Sequence, residues 1–320
     1  MKILVPLNNR DDIKRFRAAG ADELYFGFYD KSWTERFGEY TDINRMSGFN
    51  QNANRYDFSE IIDIIQETRL ENMGAYVTMN ANVYNAEALA WIKERYFSQL
   101  FKAGVNGVIV STENIAKCAL SAGLQVVAST LLGIYNSDII RYYYSLGIRR
   151  IIVPRDLSLH EIAMIKNLFP ELDLEVFFMR RGCVFSDAYC LGAHRKECGS
   201  TCGTLNKISR QIVADTSMLN NQQSIELNDV LYHEHFHVDA CGMCALYRMN
   251  KMGVTSLKIV GRADVPQSIA KDIELIKNNM NILRGCTSEE EYLSKMIMPD
   301  NCDKQCQTGL SCYYPEVRFR

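Results

Sequence analysis

The chain has 320 residues, 47% hydrophobic and 23% charged, a balance that excludes a disordered or collagen-like protein and predicts a globular one with a sizeable core. A formal charge of −2 excludes global attraction to nucleic acid or an anionic membrane, so any RNA binding has to come from a local basic patch. No stretch reaches the length of a membrane span and the apolar start of MKILVPLNNRDD is too short for an export signal, so the expected setting is cytoplasmic, with no membrane partner and the 11 cysteines reduced or metal-bound.

From the N-terminus onward, short runs rich in Val, Ile, Tyr and Phe alternate with amphipathic stretches, the pattern of successive β-α units. Strands are predicted at Ile3–Pro6, Glu23–Phe28, Ala75–Asn80, Gly107–Ser111, Gln125–Thr130, Arg150–Arg155, Leu174–Met179 and Ser256–Gly261. Helices are predicted at Asp11–Ala19, Ser59–Glu71, Ala86–Ala103, Glu113–Ala122, Ser137–Leu146, Leu159–Leu168, Cys244–Met252 and Ser268–Leu283. Three junctions, AGADELYF, AGVNGVIV and LGIRRIIV, end a helix at a glycine, which can take the left-handed cap, and start a strand within a few residues. Eight such strands, with no G-x-G-x-x-G or phosphate-binding loop after the first, predict an α/β fold of the (β/α)8 TIM-barrel type.

The rhythm fails twice. Residues 180–239 form a cysteine-rich insertion after the seventh strand, and a cysteine-rich C-terminal tail begins near residue 286. The expected organisation is therefore a barrel over residues 1–285 that includes an iron-sulfur insertion at 180–239, followed by a tail over 286–320. Loops this long in a compact domain carry function or their own constraint, and metal ligation supplies one.

Cys183, Cys190, Cys198 and Cys202 follow an apolar strand at spacings C-x6-C, C-x7-C and C-x3-C. Four thiols grouped in one irregular loop suit a [4Fe-4S] cluster better than zinc, which favours paired C-x2-C turns; zinc and reduced structural thiols are the alternatives. The tail offers Cys302, Cys306 and Cys312, and DACGMC offers Cys241 and Cys244 at a loop-to-helix junction, with Cys286 in reserve. Together they predict a second metal site, against the alternative of a disordered, cysteine-bearing terminus.

His233, His235 and His237 alternate along LYHEHFHVDAC, which on a strand puts three imidazoles on one face; the plainer reading is an exposed polar strand, and His237 is the catalytic candidate among them. Asn8, Asn80, Asn82, Ser129, Thr130, Arg155, Arg181 and Arg262 fall at the carboxyl ends of strands, where barrel enzymes place their chemistry. Arg155 and Arg262 are expected to clamp a common carboxylate or phosphate, with rim ion pairs to Asp156 or Glu175 as the alternative. NANVYN and FNQNANRY carry enough amides to read a polar ring, or else simply form turns. No Ser/His/Asp set and no caspase-like cysteine context is found.

Several short motifs in order carry a resemblance: AGADELYFG after the first helix, VTMNANVYN at the third strand, VPRDLSLHEI into the sixth helix, Glu175, Phe177, Cys183, Ala188 and Cys190 in one signature, then ECGSTCG and MGVTSLKIVGR. In these the chain resembles the collagenase-like peptidase family. The resemblance implies a barrel, makes Glu175 the acid of the signature and a catalytic candidate, and implies a [4Fe-4S] cluster on the insertion cysteines, or two clusters if the tail holds another. It also implies oxygen-independent hydroxylation of a small aromatic or nucleobase substrate, RNA among them, as in members acting on ubiquinone, tRNA and rRNA, some with a homologous partner subunit and some requiring prephenate. Peptidase activity and a non-catalytic, cluster-bearing subunit are the rival expectations. The chain departs from the family pattern at Arg180 and Arg181, where small residues are usual, and at Val260, where an acid is usual. Two bases gained and one acid lost predict a mouth shifted toward positive charge.

Overall fold

Runs such as ELYF, AYVTM and GVIV lack the polar alternation of a half-exposed strand because barrel strands are covered on both faces. The computed structural model describes residues 1–38, 41–45, 53–183, 186–190, 239–300 and 312–317, and the single positions 204, 208, 222, 223, 225, 226 and 306. Eight parallel strands, β1 (Lys2–Pro6), β2 (Glu23–Phe26), β3 (Gly74–Met79), β4 (Gly107–Val110), β5 (Val126–Ala128), β6 (Arg150–Ile152), β7 (Asp173–Met179) and β8 (Ser256–Ile259), form a closed barrel in sequence order. The seam is parallel as well, with Lys2 opposite Ser256 and Leu4 opposite Lys258.

The outer layer holds α1 (Ile13–Ala19), α2 (Lys31–Phe37), α3 (Phe58–Leu70), α4 (Ala86–Ile92), α5 (Ser98–Ala103), α6 (Glu113–Ser121), α7 (Ser137–Ser145), α8 (Leu159–Leu168), α9 (Leu246–Met252), α10 (Pro266–Arg284) and α11 (Glu289–Lys295). Reciprocal Asp57/Glu60 and Ser158/Glu161 capping boxes open α3 and α8. At the three junctions singled out above, Gly20, Gly104 and Gly147 have φ of 112°, 74° and 104°, values that a side chain would strain. The single helix expected over Ala86–Ala103 is instead interrupted by a π-helical turn at Lys93–Phe97, which lets the adjacent Tyr96 and Phe97 both bury.

Two helices had no counterpart in the sequence expectations. Both α2 and α11 have seven residues and bury one side chain each, Trp33 and Tyr292, too little to show a helical period. Helix α11 also brings the start of the expected tail onto the barrel. Tyr292 donates its hydroxyl to the Met243 carbonyl at 2.9 Å, and Asn279 of α10 donates to and accepts from the Ile297 backbone.

Inside the barrel lies a layer of charge. Arg150 donates to Glu23 (2.6 Å), to Glu175 (3.1 Å) and to the Tyr76 hydroxyl (2.7 Å), while Lys258 reaches the other Glu175 oxygen at 2.6 Å. Lys2 and Ser256 complete the shell around Glu23. Burial alone would raise the Glu23 carboxyl, but Arg150 and Lys2 outweigh it and hold it below the usual range. Glu175, the catalytic candidate of the motif, is placed otherwise than expected: it is 0% exposed, both oxygens are taken by cations, and it closes an internal network.

Candidate active site

The carboxyl ends of the strands converge on one mouth. After β2 comes Gly27, where a Cβ would stand 2.0 Å from Asn54 Oδ1, 2.7 Å from an Arg262 nitrogen and 2.9 Å from Thr78 Oγ1. This position therefore has to be glycine if the arginine that follows β8 is to cross the barrel end. Arg262 donates to Asn54 Oδ1 (2.8 Å), to Thr78 Oγ1 (3.3 Å) and to the Arg45 carbonyl (2.9 Å). It is 8% exposed, and among the described residues no carboxylate pairs with it. Burial and the nearby Arg45 charge lower its proton affinity, with Tyr25 opposing. Among the described residues the buried Asn54 amide nitrogen also has no hydrogen-bond partner. An uncompensated guanidinium beside an unused amide donor is a receptor for an anion.

Arg45 ties this corner to the cysteine insertion. Its backbone N–H donates to Asn80 Oδ1 at 3.0 Å, its guanidinium donates to Cys190 Sγ at 2.9 Å, and it lies 3.5 Å from the Asp187 carboxylate. Asp187 in turn accepts from Arg155 at 2.9 Å, and the Arg155 guanidinium carbon lies over Phe177, 4.1 Å from the ring centre. Burial would raise Asp187, but Arg155 and Arg45 prevail and keep it ionised below the usual range. Cys183 is near enough to act electrostatically on Arg155. Cys183, Arg155, Asp187, Arg45, Cys190 and Arg262 thus form one connected polar set.

The expectation that Arg155 and Arg262 share a ligand is corrected in half. Arg155 is engaged by Asp187 and by the Arg181 carbonyl, not by Asp156 or Glu175, and so acts as a strut, whereas Arg262 has no carboxylate partner among the described residues. The expected positive shift from Arg180 and Arg181 is corrected too. Both residues have left-handed backbone, φ 67° and 44°, just beyond a bulge in β7, and both turn onto acids: Arg180 pairs with Asp272 and Asp264, Arg181 with Asp264. Arg181 pairs with Asp264 at the mouth of the insertion, which offsets its charge there.

The insertion is zipped where it leaves and rejoins the barrel, by Arg180 N–H to the Ala240 carbonyl and Gly242 N–H to the Phe178 carbonyl, both 2.8 Å. Of the four insertion thiols, Cys183 and Cys190 are described and stand at the mouth, whereas Cys198 and Cys202 lie outside the described residues, as do His233, His235, His237 and Cys302. Cys190 is buried and accepts a hydrogen bond from the Arg45 guanidinium. Among the described residues no three His, Cys, Asp or Glu side chains are gathered at metal-binding distances. Sequence reading named Asn80 and Arg262 but passed over Arg45 and Asp187. The amide-rich FNQNANRY was the available signal, since it contains Asn54.

Comparison with known proteins bears on this site. Over 193 residues the chain is 25% identical to tRNA hydroxylation protein P of Helicobacter pylori, covering 60% of this chain and 42% of that protein. Over 308 residues it is 21% identical to a collagenase of Porphyromonas gingivalis, covering 92% of this chain and 69% of that one. The chain thus spans about two fifths of the tRNA hydroxylation protein it matches. Among solved structures it resembles the U32 peptidase Mk0906, with a TM-score of 0.43 and 13% identity over 56% of this chain and 69% of that chain. The sequence pattern of peptidase family U32 matches residues 8–316, from the first strand's end to the close of the tail, and the chain belongs to that family.

Proposed function

We propose that this protein is a cytosolic iron-sulfur enzyme that hydroxylates an aromatic ring or nucleobase without molecular oxygen, with RNA as the favoured substrate class. The observation that carries the reading is the link through Arg45, which joins a buried thiol, Cys190, to Arg262, a buried cation with no carboxylate partner among the described residues. The tRNA hydroxylation relatives support the reaction class and the RNA. Cys183, Cys190, Cys198 and Cys202 would hold a [4Fe-4S] cluster, which when bound supplies electron transfer at the mouth. Arg262 would bind the anionic part of the substrate, a phosphate in RNA, and Asn54 would offer its amide N–H₂ beside it. Arg155 and Asp187 hold the insertion against the strand ends, keeping water from the buried face of the set.

Anaerobic purification tests the cofactor: about four irons and four sulfides per chain are expected, falling sharply in Cys183→Ala and Cys190→Ala. Mass analysis of RNA from cells with and without the gene tests the reaction, through loss of a modification of about 16 Da, one oxygen. A second reading, peptide hydrolysis, is favoured by the collagenase relative that covers most of the chain. Iron-free protein that cleaves denatured collagen, together with unchanged RNA, would replace the first reading by the second.

A further inference from the structure

A second group of thiols lies beside β7, where the insertion rejoins the barrel. Cys241 and Cys244 bracket the turn Cys241-Gly242-Met243-Cys244, and the Cys241 sulfur accepts the Met243 backbone N–H at 3.3 Å. A main-chain N–H two residues ahead is the donor that a C-x-x-C turn aims at a metal-bound thiolate. The tail bends at Tyr313, directly after Cys312. The two turns are set side by side by a parallel bridge between Cys241 and Cys312 and by the Tyr313 N–H donating to the Cys241 carbonyl at 3.1 Å. Cys244, Cys306 and Cys312 all act electrostatically on Cys241, and Cys244 and Cys306 on Cys312, so the four thiols share one neighbourhood, and none forms a disulfide. Gly242 admits the arrangement: a Cβ there would press on Phe178 at 3.0 Å and Tyr314 at 3.1 Å.

We propose that Cys241, Cys244, Cys306 and Cys312 form a tetrathiolate site for one thiophilic metal ion, zinc by the closed all-sulfur ligand set, which fastens the tail to β7. The sulfurs are neighbours and not yet at bonding distance, so the ion draws them in and its binding energy becomes folding energy of the tail. Cys286 stands aside, donating its thiol to the Ile282 carbonyl at 3.2 Å. The site shares no ligand with the mouth cysteines.

The test uses the 320-residue protein purified anaerobically. About one zinc per chain is expected. Cys241→Ser, Cys306→Ser and Cys312→Ser should each lower it at least about fivefold, a loss of about 1 kcal/mol in binding or more, while Cys183→Ser and Cys190→Ser leave it unchanged. Because a variant can fail by misfolding, the wild type supplies a second measurement: chelation should expose these four thiols to iodoacetamide, mapped by mass, and added cobalt(II) should protect them again with thiolate charge-transfer bands. Zinc content indifferent to the tail variants, alkylation indifferent to chelator, or acid-labile sulfide lost together with the metal would each overturn the proposal.

Discussion

The charge layer inside the barrel and the charge set at its mouth are built from the same residue types and do opposite things. In the interior, Arg150 and Lys258 are answered by Glu23 and Glu175 at hydrogen-bonding distance, and every partner is buried. At the mouth, Asp187 serves both Arg155 and Arg45, and Arg262 is met only by neutral oxygens among the described residues. A compensated buried charge is scaffold, and an uncompensated one is held ready for something that arrives. The difference is energetic, so substitutions can break it.

The largest effect is expected inside. Arg150→Ala strands two carboxylates and should cost about 3–5 kcal/mol in urea unfolding, while Arg262→Met, which removes a charge lacking a counter-ion, should leave stability near wild type or above it. Equal destabilisation by the two would erase the distinction. Next, Arg262→Lys loses the planar fork, and affinity for a probe anion such as inorganic phosphate, read by calorimetry, should fall by about 1.5–3 kcal/mol, or roughly 10- to 150-fold. Unchanged phosphate affinity would take the ligand role away from this residue.

Gly27→Ala sharpens the geometry. The added methyl collides with Asn54, Arg262 and Thr78, and such overpacking should cost about 1–3 kcal/mol. Phosphate binding should fall with it; a variant that is destabilised yet binds normally would mean that Arg262 finds another pose. Acid titration separates the regions again. The depressed Glu23 carboxyl contributes stability that is complete above its unfolded pKa, about 4.3, and is lost as pH falls through the lower folded value, with a slope of up to about 1.4 kcal/mol per pH unit. Glu23→Gln should flatten that acid limb of the stability curve, and an unaltered limb would assign it to other carboxylates. The smallest effect is at the tail, where Tyr314→Phe removes a buried 2.8 Å bond to the Phe177 carbonyl and should cost about 1 kcal/mol.

The barrel was legible because its strands are apolar on both faces and its glycine caps recur at Gly20, Gly104 and Gly147, all local signals. The site was only partly legible because its meaning lies in pairings that spacing cannot show. Arg180 and Arg181 read as bare positive charge until Asp264 and Asp272, far along the chain, are seen against them. Glu175 read as a catalytic acid because its motif gives no hint of Arg150 and Lys258. Arg262 was found for a sound local reason, its place after β8, but its lack of a carboxylate partner is a fact of three dimensions. Cys241 and Cys312 could be grouped by residue type alone; that they are strand-like neighbours could not.

The parallel seam between β1 and β8 has a consequence for assembly. The first strand and the last must meet before the sheet loses its edges, and residues 180–239 stand between β7 and that final strand. Until β8 arrives, β1 and β7 each present an unpaired row of backbone groups, open to pairing with another chain. Folding should therefore be slow and sensitive to concentration, as expected when the deciding contact is the most distant in sequence. A single backbone break between residues 190 and 239 would leave all eight strands intact yet turn closure into a meeting of two molecules. The pieces should then recombine only above a threshold concentration, as a split protein does.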